Sequence, residues 1–223
     1  MSRKTVFLFP GQGAQFVGMG RDFYQGFPIA KRTFEEAEDL LKLPLTHWIF
    51  TGPESLLKET KISQIAIYTV SMAIYRVVAS VVEMHPYACA GLSLGEYTAL
   101  TAAGWLSFPE TLLLVQKRGE LMQRCCEEKR GTMAVLLGGE VEAISSWVQN
   151  SPFAKELWVA NYNAPTQTVL AGTERAIIWA QQTAEQLGVK RVVPLEVAGA
   201  FHSGLMAKAR EELATHLQMA PLS

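Results

Sequence analysis

The sequence is short of charge and of cysteine. Charged residues make up 18% of its 223 positions, below the roughly 25% usual for soluble domains. Lys+Arg 20 against Asp+Glu 21 leaves a formal net charge of -1, so a nucleic-acid binder that works through bulk charge is excluded. The three cysteines, Cys89, Cys125 and Cys126, are an odd set without a C-x-x-C pair. That excludes a disulfide framework and points to a reducing, cytoplasmic compartment. Cysteines and histidines together have no metal-ligand spacing, so no metal is expected. Repeats and low-complexity runs are missing too, and the apolar run Val6 to Phe9 stops at Pro10, too short for a signal peptide.

What is present is core material. Hydrophobic residues are 49% of the chain and mean hydropathy is +0.12, which excludes intrinsic disorder and suits one large domain or two small ones. Ile65 to Met84 is long and apolar enough to span a bilayer, but Arg76 sits near its middle. A central arginine costs roughly 2.5 to 3.5 kcal/mol on insertion scales, so the segment is read as an interior helix and no membrane is expected.

Hydrophobic periodicity and turn residues give an element order. Thr5 to Phe9 reads as a buried strand entering a glycine loop at Pro10, Gly11 and Gly13. Helical stretches are expected at Ile29 to Leu41 and Ile62 to Met84, an extended run at PYACAG before Gly91, and helices from Leu94 to Ala103 and from Pro109 toward Gly131. The texture then changes: strand Met133 to Leu137, helix Val141 to Gln149, strands Leu157 to Asn161 and Thr168 to Ala171, helix Glu174 to Leu187, strand Lys190 to Val197. That is a β-α-β-β-α-β order, a ferredoxin-like unit. A last helix is expected at about Ser203 to Met219. The expected fold is α/β: a hydrolase-like body with a parallel sheet and nucleophile elbow at 1–130 and 198–223, carrying an inserted ferredoxin-like α+β subdomain at 131–197.

Gly91-Leu92-Ser93-Leu94-Gly95 follows an apolar strand and precedes a helix, where G-x-S-x-G forms a nucleophile elbow. A sharp strand-to-helix turn leaves no room for a Cβ at its flanks and thrusts the serine out at a helix N-terminus. The plainer alternative is a serine N-cap on an ordinary crossover. A serine nucleophile needs a base. His47 and His85 lie beside helix ends and His216 on the last helix, positions that suit surface or packing roles. His202, in Ala200-Phe201-His202-Ser203, lies in a loop before a helix, where site residues collect.

Four motifs now fall in order: FPGQGAQ at 9–15, GLSLGEY at 91–97, QKRGELMQ at 116–123 and GAFHSGLM at 199–206, with NYNAPTQTVLAG at 161–172 between the last two. Together they resemble the malonyl-CoA:acyl carrier protein transacylases of fatty acid synthesis, over essentially the whole chain. The resemblance implies Ser93 as nucleophile, carrying malonyl as an ester, and His202 as general base and later general acid. It implies an oxyanion hole from the backbone N–H groups of Gln12 and Leu94; two converging donors are what a tetrahedral oxyanion requires. It implies Arg118 as the group that grips the malonyl carboxylate bidentately, against the plainer reading of a helix-surface arginine paired with Glu120.

Met122, one turn from Arg118, and Phe201, beside the histidine, are expected to shape the acyl pocket, a bulky Phe201 favouring malonyl; both also suit plain core roles. Asn161, Asn163 and Gln167 are expected at the subdomain rim, where they would touch the pantetheine arm unless they are structural turn and loop residues. Lys190 and Arg191 would face an acidic carrier protein, unless they are simply a solvated face. Malonyl-CoA and the carrier's phosphopantetheine are then substrates, no bound cofactor is expected, and the absence of linkers suggests a stand-alone enzyme.

Two departures from the family stand out. Leu92 replaces the histidine usual before the nucleophile. Family members also continue past the position of Ser223, with a glutamine whose backbone carbonyl orients the histidine, and no Asp or Glu here matches a third triad member. Two rivals follow: a serine hydrolase, which leaves Arg118 unexplained, and a catalytically silent relative that only binds carrier protein.

Overall fold

The computed structural model describes residues 4–83 and 86–221. Along the chain run β1 (Val6–Phe9), α1 (Arg21–Gly26), α2 (Pro28–Leu41), α3 (Leu45–Thr51), α4 (Glu54–Lys58), α5 (Thr60–Val81), β2 (Ala88–Gly91), α6 (Gly95–Ala102) and α7 (Phe108–Glu128). These are followed by β3 (Thr132–Gly138), α8 (Val141–Gln149), β4 (Leu157–Ala164), β5 (Gln167–Gly172), α9 (Glu174–Thr183), β6 (Val189–Pro194) and α10 (Ala207–Gln218). The architecture is α/β, and the contacts divide it into two compact units: Met1–Glu120 with Leu213–Ser223, and Leu121–Glu212. The expected insert at 131–197 lies inside the second unit, which extends further on both sides.

The first unit is organised around α5. Its most apolar stretch is long enough to cross a membrane, yet 67% of that stretch is buried within the protein, as a core helix requires. Against it packs α2, whose buried Ala30, Phe34, Ala37 and Leu41 recur on one helical face. Arg76, the residue that argued against a membrane, donates to Glu36 Oε2 at 2.6 Å and Thr33 Oγ1 at 3.1 Å and lies over the Phe108 ring. β1 and β2 pair in parallel, Val6 opposite Ala88 through Phe9 opposite Gly91. Phe7 and Phe9 meet Tyr75 of α5 edge-on, while Val6 and Leu8 on the other face are exposed.

The second unit holds an antiparallel sheet in the order β4-β5-β3-β6. α8 and α9 cover one face through Ala134, Leu136, Ile144, Leu157, Leu170, Ile177 and Ala180. Several expected boundaries move. The helix expected to run to Leu187 tightens into a 3-10 turn at Ala184–Leu187. β6 stops at Pro194, which has no N–H to extend the ladder, and the last helix opens as a 3-10 turn, Gly204–Met206. The short helices α1, α3 and α4 were not expected, because fewer than two turns give no clear period.

Glu156 ties β4 to α9: its carboxylate accepts from Thr173 Oγ1 and Arg175 Nε, both at 2.8 Å. Hydrogen bonding from Arg175, then Thr173, pulls its pKa from 4.5 down to about 2. A depressed carboxylate stabilises above its unfolded pKa and loses that contribution as pH falls through the folded value. The melting-temperature gap between wild type and Glu156→Gln is therefore expected to be constant above about pH 5 and to close toward pH 2, measured by thermal melts across pH.

Candidate active site

The turn at 91–95 is built by glycine sterics. A Cβ on Gly91 would sit 1.9 Å from the carbonyl carbon of Gly95, and one on Gly95 would sit 2.2 Å from the Phe9 carbonyl oxygen. β2 can therefore turn straight into α6 and lie against the end of β1 only with hydrogen at both positions. Between them Ser93 adopts φ 53, the left-handed region that costs an L-residue roughly 1–2 kcal/mol. Gly91→Ala is expected to destabilise the protein by about 3 kcal/mol or more, because backbone on both sides would have to move; denaturant titration measures it.

The glycine loop touches this elbow. A Cβ on Gly11 would lie 2.6 Å from Leu92 O, so the first glycine lets the loop approach the residue before Ser93. The Gly13 N–H is taken by Gln15 Oε1 at 2.8 Å and the Ala14 N–H by Gly11 O. At the start of α6, the N–H groups of Gly95, Glu96 and Tyr97 bond the carbonyls of Leu92, Ser93 and Leu94. The Leu94 N–H precedes that run, one residue after the serine. The Gln12 side chain reaches Thr60 Oγ1 at 3.4 Å.

Arg118 completes the first unit's cluster. It is 8% exposed, donates from Nη2 to Ser93 Oγ at 2.9 Å and from Nη1 to Gln64 Oε1 at 2.6 Å, and its Cζ stands 5.5 Å from the centre of the Tyr97 ring. The alternative of a surface pair with Glu120 is thereby corrected. α7 can approach α5 here because residue 119 is glycine: a Cβ would meet Lys61 Cα at 2.9 Å. Burial pushes the guanidinium pKa down from its ordinary value, with Tyr97 and Glu96 acting in the other direction. No carboxylate lies within ion-pair distance of Arg118 among the described residues. A buried cation with neutral hydrogen-bond partners is an incomplete arrangement, and an anion beside Ser93 would complete it.

Gln64 and Tyr97 are site residues the sequence reading did not nominate. The sequence signal in Gln64 is a polar residue within an apolar helical run, four residues after Thr60 and hence on the same face; the structure buries it completely.

The other expected residues fall in the second unit. Met122 and Phe201 are buried, at 7% and 5% exposure. His202, like Ser93, has a positive φ, 56°; such non-glycine residues are uncommon and gather at functional sites. Asn163 donates to Gln167 Oε1 at 3.1 Å across the β4–β5 hairpin, and Asn161 sits on β4. Lys190 and Arg191 are exposed on the edge strand β6. Of the remaining histidines, His47 bonds Thr51 one turn along α3, His216 lines an apolar groove with Leu113, Leu114 and Met219, and His85 lies outside the described residues. Among the described residues no three of His, Cys, Asp and Glu cluster as a metal site would need.

Known proteins resemble this chain in sequence and in fold. The family model for the acyl transferase domain matches residues 6–222. The malonyl CoA-acyl carrier protein transacylase of Bacillus subtilis is 42% identical over 94% of this chain and 66% of its own length, and that of Escherichia coli K12 is 38% identical over 95% and 69%. The chain thus spans about two thirds of the length of the curated relatives it matches. Among solved structures, the MCAT of Streptococcus pneumoniae superposes with TM-score 0.92 at 41% identity over 99% of this chain and 72% of that one. A malonyl-transacylase solved in complex with its type II PKS acyl-carrier protein superposes with TM-score 0.93 at 36% identity, with the same coverage. The chain belongs to the acyl transferase domain family, among the malonyl CoA-acyl carrier protein transacylases.

Proposed function

We propose that the protein transfers malonyl from malonyl-CoA to the phosphopantetheine thiol of an acyl carrier protein through a malonyl ester on Ser93. The observation that carries this reading is the buried Arg118 guanidinium 2.9 Å from Ser93 Oγ. One methylene separates the thioester carbonyl of malonyl from its carboxylate, so a group that selects malonyl has to stand beside the nucleophile. A hydrolase of neutral esters has no use for a buried cation there.

In the proposed chemistry His202 takes the proton from Ser93 Oγ as the oxygen attacks the thioester carbonyl. The N–H groups of Gln12 and Leu94 receive the oxyanion. The carbon–sulfur bond breaks, and the CoA thiolate leaves with the proton held by His202. In the return half, His202 takes the pantetheine thiol's proton, the sulfur attacks the ester, and Ser93 Oγ leaves with that proton. Met122 and Phe201 are assigned to the acyl pocket, Asn163 to the pantetheine arm, and the exposed Lys190 and Arg191 to an acidic carrier surface.

The finer fold reading is part of the same proposal: a hydrolase-like body, with β3 to β6 forming a ferredoxin-like unit. The antiparallel β4-β5-β3-β6 order with both helices on one face supports it. No bound cofactor is required, since every proton and acyl step is assigned to chain or substrate. A cytoplasmic setting is supported by the unpaired Cys89, Cys125 and Cys126. The test is intact-protein mass spectrometry after mixing with malonyl-CoA or acetyl-CoA. A malonyl increment on Ser93 in excess over acetyl is the expected result; no increment with either would overturn it.

A further inference from the structure

His202 is the outward-turned residue of a tightly held turn. Ala200 and Phe201 before it are 1% and 5% exposed, while His202 itself is exposed and sits at φ 56. Glycines clamp the turn on both sides. A Cβ on Gly199 would lie 2.3 Å from Cys126 Sγ of α7, and one on Gly204 would lie 2.5 Å from the Trp158 ring of β4. The Ala200 methyl in turn rests where a Cβ on Gly131 would lie, 2.7 Å away.

One side chain bridges the histidine. Ser203 Oγ donates to Ala200 O at 2.5 Å and accepts from Leu205 N–H at 3.1 Å. Its backbone carbonyl also receives Met206 N–H at 3.0 Å. The hydroxyl thus ties a carbonyl two residues before His202 to an N–H three residues after it. An L-residue relaxes out of the left-handed region unless its surroundings over-determine it. Around His202 this hydroxyl is the side-chain contact that ties the two flanks of the turn together.

We propose that Ser203 is a positioning residue that holds the imidazole of His202 in its working orientation, acting on the reaction only through that histidine. The inference rests on the reading of His202 as the base for Ser93. Misplacing a reacting group by about 1 Å costs on the order of 100-fold in rate. Ser203→Ala is therefore expected to slow malonyl-enzyme formation by between ten- and a hundredfold with KM unchanged, and Ser203→Thr, which keeps the hydroxyl, to restore most of the rate.

The deciding measurement is a double-mutant cycle on the acylation rate of the protein with malonyl-CoA. In the His202→Ala background, Ser203→Ala is expected to have no further effect. An equal loss in both backgrounds, no loss in either, or failure of Ser203→Thr to rescue would overturn the proposal. The imidazole NMR resonance of His202 gives a readout independent of acyl transfer. It is expected to shift or broaden in Ser203→Ala and to return in Ser203→Thr. If wild type takes no malonyl but the resonance still responds this way, the acyl-transfer reading fails while the positioning role stands. An unchanged resonance overturns the positioning role itself.

Discussion

Ser93→Ala is expected to abolish the malonyl increment in the intact-protein mass and to lower the transfer rate by at least about 10³-fold, since residues that act as a unit with the nucleophile are lost together. The alanine should fold normally. Its methyl occupies the same φ 53 position at no greater backbone cost than serine, and the elbow's shape depends on the glycines at 91 and 95 rather than on the hydroxyl. Melting temperature within a few degrees of wild type, together with complete loss of labelling, is the expected pair of results. Labelling that persists in Ser93→Ala would move the acyl group to another residue and sink the elbow assignment.

Arg118→Ala is expected to separate malonyl from acetyl. Removing a bidentate charged grip on a carboxylate by a buried guanidinium costs about 3–4 kcal/mol, which is 10²- to 10³-fold in kcat/KM for malonyl-CoA. Acetyl-CoA has no carboxylate to lose, so its rate should stay level or rise. The ratio of the two labelling rates is therefore the quantity to follow. A parallel fall for both substrates would make Arg118 a structural residue. Stability is the second measurement, because Gln64 Oε1 loses its 2.6 Å donor while remaining buried. Losing a hydrogen bond from a charged donor costs roughly 1.5–3 kcal/mol. Arg118→Lys should recover charge but only part of the selectivity, since an ammonium cannot reach Gln64 and a carboxylate in the same planar fork.

How far the sequence alone reaches can be seen element by element. Helix Val141–Gln149 runs between its expected limits, because a strong 3.6 period and the Gly138-Gly139 break are local signals. The β2–α6 turn was equally legible: G-x-S-x-G is a steric pattern contained in five residues. α1, α3 and α4 were missed, being too short for a period to register. β6 ended three residues early at Pro194, and His202 gave no advance sign of its left-handed backbone, which histidine adopts only when its surroundings demand it.

By itself, then, the sequence determined the elbow at 91–95, the core character of α5, the β-α-β-β-α-β order and the family, since each rests on local sterics, on periodicity or on a series of short motifs. Tertiary structure alone decided how Arg118 is held. The contacts that make it a buried cation beside the elbow serine come from Ser93, 25 residues away, and Gln64, 54 residues away. They exist because Gly119 lets α7 close on α5. Burial and partnership between distant residues depend on how helices pack, and no window of sequence contains that information.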